Sequence, residues 1–71
     1  MHIVEYLGVR TEFHRLLINQ KEDTVIFFDE NGQEVRPQGA RRISKSEFAA
    51  CDVYMPDGRL TYLNKARNWM N

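Results

Sequence analysis

The sequence has few of the residues from which small domains build cross-links or metal sites. Its 71 residues include one cysteine, Cys51, and two histidines, His2 and His14. A single cysteine excludes a disulfide within the chain, and one cysteine with two histidines matches no zinc-ligand spacing. A domain this short buries only about 60% of the surface of its unfolded chain and usually needs such a support. We therefore expect self-association or a protein partner to supply the missing stabilisation.

Glycine and long apolar runs are scarce too, and their scarcity limits the classes of function. The four glycines are scattered singly and form no phosphate-binding loop. No apolar run approaches the roughly 20 residues of a membrane-spanning helix. The first residues lack the basic and apolar regions of a signal peptide. Together with the lone cysteine, these absences predict one domain, residues 1–71, in the cytoplasm and without membrane attachment.

No group of residues matches a catalytic motif or a site for magnesium or calcium. Cys51 is expected near the C-terminal end of a short helix and beside Asp52, where the helix dipole and the carboxylate disfavour a thiolate. His14 has no partner in the sequence pattern that would position it as a general base. Asp29 and Glu30 are adjacent, so on a strand they point to opposite faces. We expect no enzymatic activity, no metal and no cofactor.

One β-hairpin is predicted around Asn31-Gly32, which follows the clearest strand-like run of the chain. Both residues tolerate the positive φ angles of a two-residue type I′ turn. This turn would place Phe28 opposite Val35 as an apolar cross-strand pair. It would also place Asp29 opposite Glu34, which is an unfavourable pair of like charges.

Other apolar runs predict further strands. Pro56-Asp57-Gly58 separates residues 53–55 from residues 59–63, and this pattern indicates a second hairpin. Residues 3–9 read as a first strand with a bulge at its glycine. Residues 11–20 fit either a short helix or a strand followed by a loop, and the strand is slightly favoured.

Two short helices are predicted in the second half of the chain. Ser44 and Glu47 have the spacing of a capping box, and the apolar residues flanking them match a hydrophobic staple. The helix would cover residues 45–51. A second helix would begin near Asn64, and its Trp69 would pack onto the sheet.

The resulting element order, β-β-β-α-β-β-α, predicts an α+β domain that is rich in β-structure. About five short strands would form a strongly bent antiparallel sheet or a small, partly open barrel of the SH3-like or OB-like kind. One short helix would follow the third strand, and another would lie at the C-terminus.

The net charge is zero, but the two halves of the chain differ in sign. Residues 1–35 carry three basic and seven acidic side chains, whereas residues 36–71 carry seven basic and three acidic ones. Residues 36–45, the basic segment, suit phosphate oxygens or an acidic protein surface. In the alternative interpretation, the segment is a solvated loop whose arginines pair with acidic residues of the first half. These acidic residues are Asp29, Glu30 and Glu34. The candidate residues for binding a partner or a phosphate are Arg36, Arg41, Arg42 and Lys45.

Two functions fit these observations. The first is a small non-enzymatic protein-interaction module that regulates or inhibits a larger assembly, of the accessory type found in phages and mobile elements. It would use the basic segment and open strand edges. The alternative is binding of RNA or single-stranded DNA through the basic segment, with Tyr54, Tyr62 or Trp69 stacking on unpaired bases. The sequence pI of about 6.7 favours the first function, because nucleic-acid-binding domains are often clearly basic.

Overall fold

Short strands joined by tight turns make up most of the fold, which a computed structural model describes for residues 1–37, 39 and 41–61. Within these residues the chain forms eight strands and one helix. In chain order they are β1 (His2–Tyr6), β2 (Val9–Phe13), β3 (Arg15–Asn19), β4 (Thr24–Phe28), β5 (Glu34–Val35), β6 (Ile43–Ser44), α1 (Lys45–Ala49), β7 (Asp52–Tyr54) and β8 (Leu60–Thr61). No helix among the described residues is long and apolar enough to cross a membrane.

The strands form two antiparallel sheets. Sheet I has the strand order β2-β1-β7-β8. Sheet II has the order β3-β4-β5, and β6 also pairs with β4, near the end opposite to β5. Only His14 separates β2 from β3, so the chain passes almost directly from sheet I into sheet II. The β-rich class is confirmed, since the described residues form two antiparallel sheets of short strands and one short helix.

The core lies between the two sheets and under the helix. Phe13 of sheet I packs edge-on against Phe27 of sheet II, with ring centroids 5.1 Å apart. Phe27 also packs edge-on against Phe48 of α1, with centroids 5.9 Å apart. Ten buried residues form this cluster: Val4, Phe13, Leu16, Ile18, Val25, Phe27, Ile43, Phe48, Cys51 and Val53.

The predicted first strand, residues 3–9, is in fact a hairpin. The chain turns at Leu7 and Gly8, and Tyr6 lies opposite Val9. Leu7 has φ 52° and Gly8 has φ 82°, so both central residues are left-handed, as a type I′ turn requires. The turn carries no sequence signal because leucine occupies the position that usually holds asparagine, aspartate or glycine.

Residues 11–13 and 15–19 lie in strands, which confirms the favoured interpretation. They contribute the end of β2 and all of β3. Along β3, the buried Leu16 and Ile18 alternate with the exposed Leu17. This period of two is the pattern of a strand with one buried face.

The hairpin around Asn31-Gly32 exists, but its predicted register is wrong by one residue. Val35 lies opposite Phe27, and Phe28 lies opposite Glu34. The Asp29 backbone N–H donates to the carbonyl oxygen of the residue four positions later at 2.8 Å, so the loop has three residues instead of two.

The Asp29 side chain selects this longer loop. Its Oδ1 accepts hydrogen bonds from the backbone amides of Asn31 and Gln33, each at 2.9 Å. These bonds favour an ordinary type I turn followed by a left-handed glycine, here Gly32 with φ 81°. The expected like-charge pair of Asp29 and Glu34 does not form, and the Glu34 carboxylate is available to other partners.

The second predicted hairpin is confirmed, since β7 and β8 pair with Tyr54 opposite Leu60. The capping box is confirmed as well. The Ser44 hydroxyl accepts from the Glu47 amide at 3.1 Å, and the Ser44 amide donates to the Glu47 carboxylate at 2.8 Å. The helix α1 follows the sixth strand, β6, whereas the prediction placed it after the third strand. The additional strands come from the first hairpin and from the two-residue strands β5 and β6. The predicted C-terminal helix lies outside the described residues.

Candidate protein-interaction site

The candidate cations of the basic segment do not converge on one open site. Arg36 and Arg42 both bind the Glu34 carboxylate of β5. The Arg42 guanidinium donates to Glu34 through Nε at 2.8 Å and through Nη2 at 3.0 Å. The Arg36 Nε donates to the same carboxylate at 3.1 Å. Hydrogen bonding to Arg42 is the main reason why the pKa of Glu34 is lowered to about 2.

The third arginine, Arg41, makes a two-bonded ion pair with Glu47 of α1. The Nη1–Oε1 distance is 2.9 Å and the Nη2–Oε2 distance is 2.7 Å. The Tyr6 hydroxyl of β1 donates to the same carboxylate at 2.6 Å. Hydrogen bonds from Arg41, Tyr6 and the Ser44 amide hold the pKa of Glu47 well below its usual range. The carboxylate that caps the helix therefore also ties the first hairpin to the basic segment.

Lys45 is the fourth candidate, and its Nζ donates to Oε1 of Gln20 at 2.6 Å. Three of the four candidates thus have carboxylate partners within the described residues, while Lys45 binds an amide. Pairing of the arginines with acidic residues agrees with the solvated-loop interpretation. Glu34 was one of the expected partners, whereas Glu47 was not.

Of the aromatic candidates, Tyr54 lies on the face of sheet I that points away from the core. The Arg10 guanidinium lies over its ring, 4.6 Å from the centroid. The Tyr54 hydroxyl donates to Glu5 at 3.3 Å, and burial raises its pKa. One face of the ring is therefore covered by an arginine of the same sheet. Tyr62 and Trp69 lie outside the described residues.

The residues considered for catalysis do not form a constellation. Cys51 is buried, and its thiol donates to the Glu47 carbonyl oxygen at 3.3 Å. His14 is exposed at the break between β2 and β3. Within residues 1–37, 39 and 41–61, no group of three histidine, cysteine, aspartate or glutamate side chains is placed to hold a metal ion.

The most unusual exposed group is one that the sequence analysis missed. Leu7 is 74% exposed at the tip of the β1–β2 hairpin, and Val9 beside it is 50% exposed. Leu7 also has the left-handed backbone conformation that bulky side chains avoid. Among the described residues, Asp23 is the other non-glycine residue with positive φ, and aspartate tolerates this conformation.

The fold gains little from leucine at this position. A left-handed backbone costs a residue with a Cβ atom roughly 1–2 kcal/mol. A leucine side chain in water recovers little of the roughly 1.5–3 kcal/mol that full burial would supply. Backbone strain that local packing does not repay is a reason to suspect a function. We define the tip site as Leu7 together with Val9.

Comparisons of the chain with protein family models, with curated proteins and with solved structures give no match.

Proposed function

We propose that this protein is a non-enzymatic interaction module that docks the tip site into an apolar pocket of a larger protein. One observation carries the proposal: Leu7 is both left-handed and 74% exposed. A pocket that receives the leucine side chain would bury it, and that burial would offset the strain of its left-handed backbone.

Polar contacts of the residue before Leu7 fix the position of the tip site. Tyr6 precedes Leu7 in the turn, and its hydroxyl binds Glu47, which in turn binds Arg41. The hairpin, which is part of sheet I, is thereby also attached to the helix. A contact loop that is ordered before binding loses less conformational entropy when it binds.

Under this proposal, the basic segment has a structural role. Arg41 orients the carboxylate that anchors the hairpin, and Arg42 and Arg36 neutralise Glu34. A phosphate group would have to compete with these carboxylates for the guanidinium groups. This competition is the reason to prefer a protein partner over RNA or single-stranded DNA.

A module of this size that covers a surface of its partner would act as a regulator or an inhibitor. The SH3-like or OB-like architecture expected from the sequence belongs to the same proposal. Both of those architectures are small β-folds that bind through exposed surfaces, which are a sheet face with loops in the OB-fold and an aromatic-lined groove in SH3 domains.

The test is a comparison of three immobilised full-length proteins in a lysate of the cells that make this chain. Wild type should retain a partner that the Leu7→Asn variant loses by at least about tenfold, because the variant keeps the turn and removes the anchor. Leu17→Asn is the matched control, since Leu17 is 44% exposed on sheet II. This control should retain the partner. The same protein retained equally by all three baits would contradict the proposal.

Nucleic acid is tested separately by fluorescence anisotropy with single-stranded RNA at two salt concentrations. If the alternative held, binding would weaken steeply with salt and would depend on Lys45, which has no carboxylate partner among the described residues. Wild type and Lys45→Gln are expected to show equally weak signals. Salt-dependent binding by wild type alone would move nucleic acid ahead of a protein partner.

A further inference from the structure

The strand β3 has an unpaired edge in the described part of the chain. All five of its residues pair with β4 on one side. Within residues 1–37, 39 and 41–61, no strand pairs with its other side. An unpaired edge presents backbone donors and acceptors that can pair with another strand.

The edge of β3 also has few of the charges that usually protect such edges. On the outward face of β2, which is one of the two edge strands of sheet I, Arg10 and Glu12 are both exposed. On the outward face of β3, Arg15 is the single charged residue, and Leu17 at the centre is 44% exposed. The two edges therefore differ in their protection against strand pairing.

Apolar groups continue from this edge across the outer face of sheet II. Leu17 lies opposite Ile26, which is 7% exposed although it does not belong to the core cluster. Arg15 lies opposite Phe28, and its guanidinium is 4.5 Å from the ring centroid. On β3 and β4 the outer face is thus apolar at its centre, and Arg15 lies over an aromatic ring. The next charge on this face is Glu34 of β5, which lies opposite Phe28.

We propose that two copies of this chain pair antiparallel through β3, with the two-fold axis at Leu17. This register places Leu17 opposite Leu17 of the second copy, and Arg15 opposite Asn19 of the second copy. The register brings no like charges together, and it places two exposed leucines in a favourable cross-strand contact. The two copies of sheet II become one continuous sheet.

The second copy, and not an unrelated peptide, is the occupant because the edge is self-complementary. A symmetric pair requires a strand that matches itself when it is reversed. β3 does so, since apolar residues meet apolar residues, Leu16 with Ile18 and Leu17 with Leu17, while the charged Arg15 meets the uncharged Asn19. The dimer also gives a 71-residue chain with a single cysteine the additional buried surface that small domains need. The tip site belongs to sheet I, so this proposal does not rest on the proposed function.

Sedimentation velocity of the full chain over about a hundredfold range of concentration tests the dimer. Wild type should shift from monomer to dimer as the concentration rises. Leu17→Lys and Leu17→Glu should each weaken dimerisation at least about tenfold, because like charges then meet on the axis. An equimolar mixture of the two variants should recover the dimer, since opposite charges then meet. Thermal melts establish that each variant is folded.

Glu12→Lys is the control, because it places a lysine on the outward face of an edge strand of sheet I, at an exposed residue outside the tip site. It should dimerise like wild type. A wild type that stays monomeric, or a dimer that persists in both Leu17 variants, would overturn the proposal. Failure of the mixed variants to recover the dimer would overturn the register and the proposal with it. Loss of the lysate partner in Leu7→Asn, with dimerisation intact, would separate this surface from the tip site.

Discussion

Replacing Leu7 by asparagine should make the fold more stable, although the substitution removes an apolar side chain. Asparagine tolerates the left-handed conformation that Leu7 adopts at φ 52°, so most of the roughly 1–2 kcal/mol backbone cost is relieved. Because Leu7 is 74% exposed, the lost burial is about a quarter of the roughly 2 kcal/mol that full burial supplies. The net gain in the free energy of unfolding is about 0.5–1 kcal/mol. For a domain of this size, that gain raises the melting temperature by roughly 2–8 °C.

Thermal and urea denaturation followed by circular dichroism measure this difference. Leu7→Val provides the opposite change, because a β-branched residue is poorly tolerated at positive φ, and it should lower the melting temperature. Leu17→Asn is the control for loss of an exposed leucine, and it should not stabilise, because asparagine is unfavourable in a strand. A Leu7→Asn variant that melts below wild type would refute the reasoning, since leucine packing would then outweigh the backbone strain.

Three further predictions concern the charged network and the core. The lowered pKa of Glu34, about 2 against an ordinary 4.5, predicts stability that is present above pH 4.5 and is lost as the pH falls towards 2. Urea midpoints should record this loss, and Glu34→Gln should make the dependence shallower. Tyr6→Phe should lower the melting temperature in wild type but have little effect in a Glu47→Ala background, because alanine leaves no side-chain acceptor for the Tyr6 hydroxyl. Phe27→Ala should cost about 3–5 kcal/mol and leave the chain largely unfolded by circular dichroism, since Phe27 is 1% exposed and contacts two other rings.

The elements that the sequence predicts well are those specified by neighbouring residues. The capping box at Ser44 and Glu47 needs only the side chains and amides of one helical turn. The turn at Pro56-Asp57-Gly58 is equally local, since the Met55 amide donates to the Arg59 carbonyl oxygen at 2.7 Å across the loop. In both places, the preferred conformation of the local residues agrees with the final fold.

The elements that the sequence does not reveal depend on distant partners or on unfavourable residues. The strands β5 and β6 have two residues each and are strands only because they pair with β4. The turn at Leu7 is hidden because leucine opposes the conformation that the sheet imposes. The register at Asn31-Gly32 fails for a different reason: the side chain of Asp29 satisfies two loop amides and outweighs the preference of Asn-Gly for a two-residue turn.

The basic segment shows the difference between a prediction from residue types alone and the contacts in the folded chain. Four cations near a helix start suit phosphate binding when the chain is considered as a line of residues. In three dimensions, Glu34 and Glu47 lie within hydrogen-bonding distance of the three arginines, and neither carboxylate belongs to the segment's stretch of basic side chains. Glu47 is recognisable in advance as a capping residue, yet its two oxygens also bind Arg41 and Tyr6. This domain has equal numbers of basic and acidic residues. In such a domain, a local group of cations is therefore expected first to pair with carboxylates of the same chain. The leucine at the hairpin tip is the better basis for the proposed binding surface, because Leu7 is 74% exposed and has a left-handed backbone conformation.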